Sequence, residues 1–184
     1  NDLKSKKYDY FLLSAHREEN IEPDYNFGEL INSLNKICEV YGKKIIVSTH
    51  PRTRKKINTS GAELSSLVEL MKPLGFCDYV KLQKNAMVVL SDSGTINEES
   101  SILNFPALNI RDAHERPEAM EEASVIMTGL NSNRIIQGIE IIKEQPRDDK
   151  RMLLQVRDYS VPNVSEKVLT KLAQFKSWNY VQIR

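Results

Sequence analysis

Four polar segments contain histidine, arginine, acidic or hydroxyl residues that could take part in binding or catalysis. Each segment lies at the end of a short apolar run. They span residues 14–20, 49–54, 91–95 and 111–118. Together they hold all three histidines of the chain and several of its arginines: His16, His50, His114, Arg17, Arg52, Arg54, Arg111 and Arg116. The formal net charge is only +1. A near-neutral chain that gathers its cations in a few segments is expected to bind an anion there.

The segment 92–95 (Asp-Ser-Gly-Thr) gives the most explicit signal of the four. A strand, a turn containing Gly94 and then a helix place unpaired backbone N–H groups and the positive end of the helix dipole at one point. Ser93 adds a hydroxyl group, so the segment is suited to holding a phosphate or pyrophosphate without a Walker lysine. Thr95 and Glu98 also match a capping box, and an ordinary helix start is therefore the alternative interpretation. The neighbouring cations favour anion binding.

The other candidate residues have both a functional and an ordinary interpretation. Glu99 lies one turn into the same predicted helix, where it could bind sugar hydroxyls or be a simple first-turn acid. Tyr79 fits a packing role, although an aromatic ring near a phosphate could stack on a base. His16 and Arg17 could be polar loop residues, and His50 could be fixed in a rigid turn because a proline follows it.

Several classes of function are disfavoured by what the sequence lacks. Without HExxH, CxxC or an acidic triad, a bound catalytic metal is not expected. Without GxSxG or GxGxxG, a hydrolase elbow and a nicotinamide site are not expected either, so we predict no cofactor. The charge balance argues against nucleic acid, and the apolar runs are too short for a membrane span. Cys38 and Cys77 have no metal-type spacing, which fits a reducing cytosol and predicts a cytoplasmic protein.

Apolar runs that alternate with amphipathic stretches predict the elements that position these residues. Strands are expected at residues 10–14, 44–49, 87–90, 107–110 and 124–127, and a sixth at 67–71, within a stretch that also allows a helix. Helices are expected at residues 24–41, 78–85, 95–103, 115–122, 133–144 and 165–178, while residues 52–56 are predicted to be a loop or a short helical turn. This order predicts an α/β fold with a Rossmann-like, doubly wound parallel sheet. Such a sheet brings the four polar segments to one edge, at the carboxyl ends of its strands.

Three ordered motifs also carry a family resemblance. Residues 16–20 (His-Arg-Glu-Glu-Asn), 92–99 (Asp-Ser-Gly-Thr-Ile-Asn-Glu-Glu) and 115–119 (Glu-Arg-Pro-Glu-Ala) resemble the C-terminal half of the non-hydrolysing UDP-N-acetylglucosamine 2-epimerases. The similarity runs from about residue 10 to 172. Those enzymes have the two-domain GT-B architecture. The resemblance therefore implies that residues 1–184 form a single C-terminal UDP-binding domain, cut from an absent N-terminal domain near Asn1.

The resemblance also implies roles for individual residues. His16 would lie at the diphosphate and stabilise the departing UDP. The residues implied at the substrate are Ser93 and Gly94 at the diphosphate with Thr95 beside them, Glu99 at the ribose, Tyr79 near the uracil and Arg116 at the nucleotide. Arg17 and His50 match positions that, in several members, face a second, activating nucleotide-sugar site. In the family reaction UDP is eliminated across C1–C2 and then added back, with a proton delivered to the opposite face of C2. The carboxylates that move this proton belong to the N-terminal domain.

Two departures from the family pattern refine this expectation. The chain has Gly94-Thr95 where two glycines are common in the family. Residues 98–101 and 162–167 resemble the branch that acts on UDP-2-acetamido-2,6-dideoxy-L-talose to make UDP-N-acetyl-L-fucosamine, a precursor of capsules and O-antigens. The predicted function is thus a nucleotide-sugar 2-epimerase that is a homodimer at full length. The alternatives are a GT-B glycosyltransferase donor-binding domain and a UDP-binding module that is inactive in isolation.

Overall fold

The computed structural model describes residues 7–112 and 117–182, along which strands and helices alternate. The strands are β1 (Tyr10–Ser14), β2 (Lys44–Ser48), β3 (Val68–Met71), β4 (Val89–Ser91), β5 (Ala107–Asn109) and β6 (Ile126–Met127). The helices are α1 (Glu18–Ile21), α2 (Asp24–Tyr41), α3 (Pro51–Thr59), α4 (Phe76–Asn85), α5 (Ile96–Leu103), α6 (Pro117–Glu121), α7 (Ser132–Ile142) and α8 (Val164–Gln182). A short 3₁₀ turn spans Arg157–Tyr159.

Within the described residues, the strands form one six-stranded parallel sheet in the order β3-β2-β1-β4-β5-β6. The chain thus builds outward from β1 in one direction, returns to the centre at β4 and builds outward in the other direction. This is the strand order of a doubly wound Rossmann fold, with its switch point between β1 and β4. The α/β, Rossmann-like, doubly wound sheet predicted from the sequence is confirmed.

The central strand β1 separates two layers of apolar side chains, and all of its residues are buried. Side chains alternate between the two faces of a strand. Phe11 and Leu13 pack into one cluster with α2 and α7, whereas Tyr10 and Leu12 pack into the other with α4 and α5. The continuous apolar run of β1 therefore follows from burial on both faces.

The apolar periodicity predicted α2 correctly at both ends. The helix spans Asp24–Tyr41, and Gly42 follows it in the left-handed conformation with φ +60°. Its backbone N–H donates to the Cys38 carbonyl at 2.9 Å, which satisfies one of the last carbonyls of the helix. The ambiguous stretch 63–71 ends in a strand, β3, as favoured from the sequence.

The prediction of a loop or a short helical turn at residues 52–56 is wrong in extent, because these residues lie inside the nine-residue helix α3. Pro51 is pre-organised for the first helical turn, and His50 caps the helix by accepting a hydrogen bond from the Arg52 backbone N–H at 3.4 Å. Thr53 is the residue of α3 that is buried. Because so little of this basic helix is buried, its sequence has no apolar stripe with a helical period, and the pattern did not predict the helix.

The final helix α8 lies on the surface and carries exposed apolar side chains: Val164, Val168, Leu169 and Leu172. Neither α8 nor any other helix in the described parts of the chain combines the length and the apolar character needed to cross a membrane.

Candidate functional site

The candidate site lies where the neighbouring strands β1 and β4 end. The register pairs Ser14 with Ser91, so the residues that follow the two strands meet at the switch point of the sheet. The backbone N–H of Asp92 continues the pairing by donating to the Ser14 carbonyl at 3.1 Å. Segments 14–20 and 91–95, which are far apart in the sequence, are thereby brought together as predicted.

Asp92 is the centre of this contact, and its side chain is fully buried. Its Oδ2 atom accepts hydrogen bonds from the backbone N–H groups of His16 and Arg17, both at 2.9 Å, and from Nδ2 of Asn20 at 3.3 Å. Three donors on one carboxylate oxygen compensate for burying a charge. They also fix the turn from which the short helix α1, not predicted from the sequence, begins.

His16 stands over this carboxylate with 47% of its side chain exposed. Its Nδ1 atom lies 3.9 Å from Oδ1 of Asp92 and 3.4 Å from Oγ of Ser14. Because Nδ1 is on the protein side of the ring, Nε2 is the nitrogen on the opposite side. A half-exposed imidazole with an acid behind it is suited to donating a hydrogen bond to an anion.

The turn into α5 does not form the capping box that the sequence predicted from Thr95 and Glu98. Thr95 occupies the N-cap position, but its backbone is already helical, with φ −73° and ψ −9°, and its side chain makes no capping hydrogen bond. Its hydroxyl instead lies 2.9 Å from Oγ of Ser93 and donates to Oε1 of Glu99 at 2.6 Å. Thr95 therefore does not cap α5 with its side chain, whereas Oγ of Ser93 accepts from the Thr95 backbone N–H at 3.4 Å, as at an ordinary helix start.

Glu99 is held from two sides at the start of α5. Thr95 donates to Oε1, and the side-chain amide of Gln83 on α4 donates to Oε2. Gln83 is fully buried and was not identified from the sequence. Glu99 as a residue is partly exposed, and its carboxylate has a fixed orientation.

Tyr79 lies beside the same group of residues and packs against the apolar cluster on the α4 and α5 side of the sheet. The pKa of its hydroxyl is raised to about 12 overall. Burial is the largest cause, the charges of Glu99 and Asp92 also raise the pKa, and hydrogen bonds with Ser14 and Gln83 lower it. The phenol is therefore neutral at physiological pH. The structure thus places the predicted residue Tyr79 close to both acids of the site.

The predicted candidates His16, Ser93, Gly94, Thr95, Glu99 and Tyr79 thus lie around one edge of the sheet. Arg17 is at the start of α1, where its backbone is bound by Asp92. His50 follows β2, the neighbour of β1, and its ring caps α3. Arg116 lies outside the described residues.

Two arginines at this edge are engaged by acids of α1. Nε of Arg111 donates to Glu19 at 3.0 Å, and Nη1 of Arg52 donates to Glu18 at 2.8 Å. The concentration of cations predicted from the sequence is therefore partly neutralised within the protein. An anion at this edge would meet the start of α5 and the ring of His16 more than an excess of positive charge.

Sequence reasoning missed Asp92 and Gln83 as functional residues. The signal for Asp92 was present, because an acid that directly follows a buried strand must be compensated by donors nearby. Gln83 gave no comparable signal: a lone glutamine in an amphipathic helix is ordinary, and its contact with Glu99 exists only after α4 and α5 have packed.

Comparison with known proteins gives consistent matches over nearly the whole chain. The sequence model of the UDP-N-acetylglucosamine 2-epimerase family matches residues 1–173. The UDP-N-acetylglucosamine 2-epimerase of Methanocaldococcus jannaschii is 35% identical over 146 residues, which are 77% of this chain and 40% of that protein.

Solved structures agree with the sequence matches. The UDP-N-acetylglucosamine 2-epimerase from Rickettsia bellii is 40% identical with a TM-score of 0.81, over 96% of this chain and 47% of that one. The Methanocaldococcus jannaschii enzyme in complex with UDP-GlcNAc and UDP is 30% identical with a TM-score of 0.80, over 91% of this chain and 46% of that one. The chain therefore spans less than half the length of these relatives.

Proposed function

Since the chain belongs to the UDP-N-acetylglucosamine 2-epimerase family, we propose that it binds the UDP part of a UDP-2-acetamido sugar for epimerisation at C2. One observation carries the proposal. Three features lie together at the switch-point edge of the sheet. They are His16 with the buried Asp92 behind it, the start of α5 with the hydroxyl groups of Ser93 and Thr95, and the carboxylate of Glu99, which is held by hydrogen bonds. A related protein was solved in complex with UDP-GlcNAc and UDP.

The diphosphate is proposed to bind at the start of α5. The first N–H groups of a helix lack partners within the helix, and its dipole favours negative charge there. Ser93 and Gly94 form the turn that leads into this helix, and Thr95 adds a second hydroxyl group. His16 would then donate a hydrogen bond to the phosphates from its outer nitrogen.

The nucleoside is proposed to extend from the diphosphate toward Glu99 and Tyr79. A carboxylate can accept hydrogen bonds from both hydroxyl groups of a ribose, and Glu99 combines partial exposure with a fixed orientation. Tyr79 presents a neutral phenol ring next to Glu99, which suits contact with the uracil. Arg116, from the motif 115–119, is proposed to contact the nucleotide as well.

Leaving-group stabilisation is the proposed contribution of this chain to the reaction. Elimination breaks the bond between C1 and the UDP oxygen and removes the proton from C2, and re-addition reverses both steps with the proton placed on the other face. Charge builds up on the diphosphate as the C1–O bond breaks. Hydrogen-bond donors that are already oriented toward this charge lower the barrier without reorganisation.

We also propose the domain arrangement of the whole protein. The chain would be the C-terminal half of a GT-B-type enzyme, with the nucleotide sugar between two Rossmann-like halves and the proton-moving carboxylates on the other half. The lengths of the relatives support this, since the chain matches 40% to 47% of them. A homodimer at full length and a cytoplasmic location are further parts of the proposal.

The substrate branch and a second ligand site are finer proposals. The residues at 98–101 and 162–167 support UDP-2-acetamido-2,6-dideoxy-L-talose as the substrate, with UDP-N-acetyl-L-fucosamine as the product used in capsule or O-antigen synthesis. Arg17 and His50 are proposed to face an activating nucleotide sugar. The position of His50 after β2, next to β1, supports a location on the same edge as the substrate site.

Isotope exchange tests the proposed reaction. The chain joined to the other half of its polypeptide is incubated with a UDP-2-acetamido sugar in D₂O, and C2 is examined by NMR. Deuterium at C2 together with a product of inverted configuration is the expected result. Transfer of the sugar to an acceptor, without exchange at C2, would instead identify a GT-B glycosyltransferase.

A further inference from the structure

We propose that Gln83 is a positioning residue that determines how strongly the site recognises the ribose, because it orients the carboxylate of Glu99. The inference rests on the proposed function, which assigns Glu99 to the ribose. Gln83 lies on α4 with its side chain fully buried, and its Nε2 atom donates a hydrogen bond to Oε2 of Glu99 on α5.

The two oxygens of Glu99 are held by donors from different places. Oε1 accepts from the Thr95 hydroxyl at 2.6 Å, one turn earlier on α5, and Oε2 accepts from the Gln83 amide on the neighbouring helix. Donors on both oxygens fix the plane of the carboxylate as well as its position. Without Gln83, the carboxylate could rotate about its last side-chain bond toward solvent, and a ligand would have to order it again on binding.

The same amide is next to the aromatic ring of the site. Gln83 follows Tyr79 by one helical turn on α4, and a hydrogen bond between the two contributes to the environment of the phenol. The amide nitrogen has two hydrogens, so it can donate one hydrogen bond to Glu99 and another to the Tyr79 oxygen. Gln83 thus links the group assigned to the ribose with the group assigned to the base.

The burial of Gln83 lowers the stability of the folded protein, and packing alone gives no reason for an amide at this position. Its Oε1 atom is buried and has no hydrogen-bond partner within the described parts of the chain. An orphaned acceptor destabilises the folded state, and an apolar side chain of similar size would avoid this loss. Residues that lower stability in this way are typical of functional sites, where activity rather than stability is selected.

Comparing the affinities for UDP and 2′-deoxy-UDP separates ribose recognition from general binding. The ratio of the two dissociation constants is measured by calorimetry for the unchanged chain and for Gln83→Met, Glu99→Gln and the double variant. We expect the unchanged chain to prefer UDP by roughly tenfold, the gain from one hydrogen bond to a charged group. Gln83→Met should lower this preference at least about threefold. In the double variant, Gln83→Met should add nothing to Glu99→Gln, because it acts through Glu99.

Thermal unfolding of the same proteins distinguishes positioning from a structural role. Gln83→Met should unfold at a similar temperature, since removing an orphaned acceptor offsets the loss of the amide's hydrogen bond to Glu99. The matched control is Ser33→Ala on α2, which deletes a buried hydroxyl that donates to the Leu130 carbonyl at 2.7 Å, away from the site. This control should lower the unfolding temperature and leave the preference for UDP intact.

The outcomes separate the inference from the function on which it rests. If Glu99→Gln abolishes the preference for UDP while Gln83→Met keeps it, Gln83 does not position Glu99 and the inference is wrong. If the unchanged chain does not bind UDP, the proposed function fails and the inference with it. Should Gln83→Met not fold, Gln83→Asn replaces it. That variant keeps a buried amide that is too short to reach Glu99, and it should show the same loss of preference.

Discussion

Asp92 holds the backbone at His16 through one oxygen, since Oδ2 accepts from the His16 backbone N–H at 2.9 Å, while Oδ1 lies 3.9 Å from Nδ1 of the ring, beyond hydrogen-bond distance. One buried carboxylate therefore sets the path of the chain at His16 and lies behind its imidazole. The phosphate-binding role proposed for His16 therefore depends on Asp92, a buried residue that need not contact the ligand.

Replacing Asp92 with alanine should destabilise the protein strongly. The substitution leaves the N–H groups of His16 and Arg17 and the amide of Asn20 without their acceptor, and we expect a loss of about 2–4 kcal/mol in the free energy of unfolding. Urea denaturation measures this loss. Glu63→Ala, which removes an exposed acid, should change stability by less than about 0.5 kcal/mol. Equal effects of the two substitutions would contradict the role of Asp92.

The start of α5 should be required for binding UDP. Ser93→Ala combined with Glu99→Ala removes the hydroxyl assigned to the diphosphate and the carboxylate assigned to the ribose. We expect the affinity for UDP to fall roughly 10- to 100-fold, which calorimetry measures. Ser66→Ala, at an exposed serine elsewhere, is the control and should bind UDP normally. Unchanged affinity in the double variant would remove the basis of the site assignment.

Tyr79 should give the protein a characteristic response to alkaline pH. The pKa of its phenol is raised to about 12, above the ordinary value of 10, so the folded state retains the proton better than the unfolded state does. The resulting stabilisation is complete below pH 10 and is lost as the pH rises toward 12. Tyr79→Phe should therefore show a shallower fall of unfolding temperature over this interval, whereas Tyr25→Phe, at an exposed ring, should behave like the unchanged protein.

Two glycine-to-alanine substitutions on helices should have opposite effects. A Cβ atom on Gly138 of α7 would lie 2.9 Å from Leu108 of β5 and 3.1 Å from Thr128, so Gly138→Ala should cost about 1–3 kcal/mol through overpacking. Gly28 on α2 has open space around the same position, and Gly28→Ala should stabilise by about 0.5–1 kcal/mol. Urea denaturation of both variants tests the packing of α7 on the sheet. If both substitutions change the free energy of unfolding in the same direction, the close packing of Gly138 against Leu108 and Thr128 is contradicted.

Sequence patterns predicted the parts of the fold that local chemistry determines. The apolar period of α2 and the glycine that follows it placed both ends of that helix, and the buried run of β1 was placed equally well. Placing residues 14–20 and 91–95 at the same edge needed only the rule that parallel strands end at one edge, while their adjacency follows from the pairing of β1 with β4. The basic helix α3 escaped detection because Thr53 is its buried residue, so no apolar stripe marks it.

Contacts between distant side chains were beyond what the sequence could predict. The capping box at Thr95 is a local motif, and it failed because the Thr95 hydroxyl is bound by Ser93 and Glu99 instead. The partners of Asp92 and Gln83 are chosen by tertiary packing. The arginines and histidines in the polar segments predicted an anion site. Arg111, one of these cations, instead donates to Glu19 of α1, and this pairing could not be predicted from the sequence.

The position of β1 between β2 and β4 also has a consequence for the order in which the site forms during synthesis. β1 and β2 can emerge from the ribosome and pair first, whereas Asp92 follows His16 by 76 residues. At synthesis rates of about 5–20 residues per second, this separation corresponds to about 4–15 s. During that interval the turn at His16 lacks the acceptor that orders it, so the nucleotide site comes into existence only when β4 inserts beside β1. A nascent chain that ends before β4 should therefore have no affinity for UDP, however well its first strands have folded.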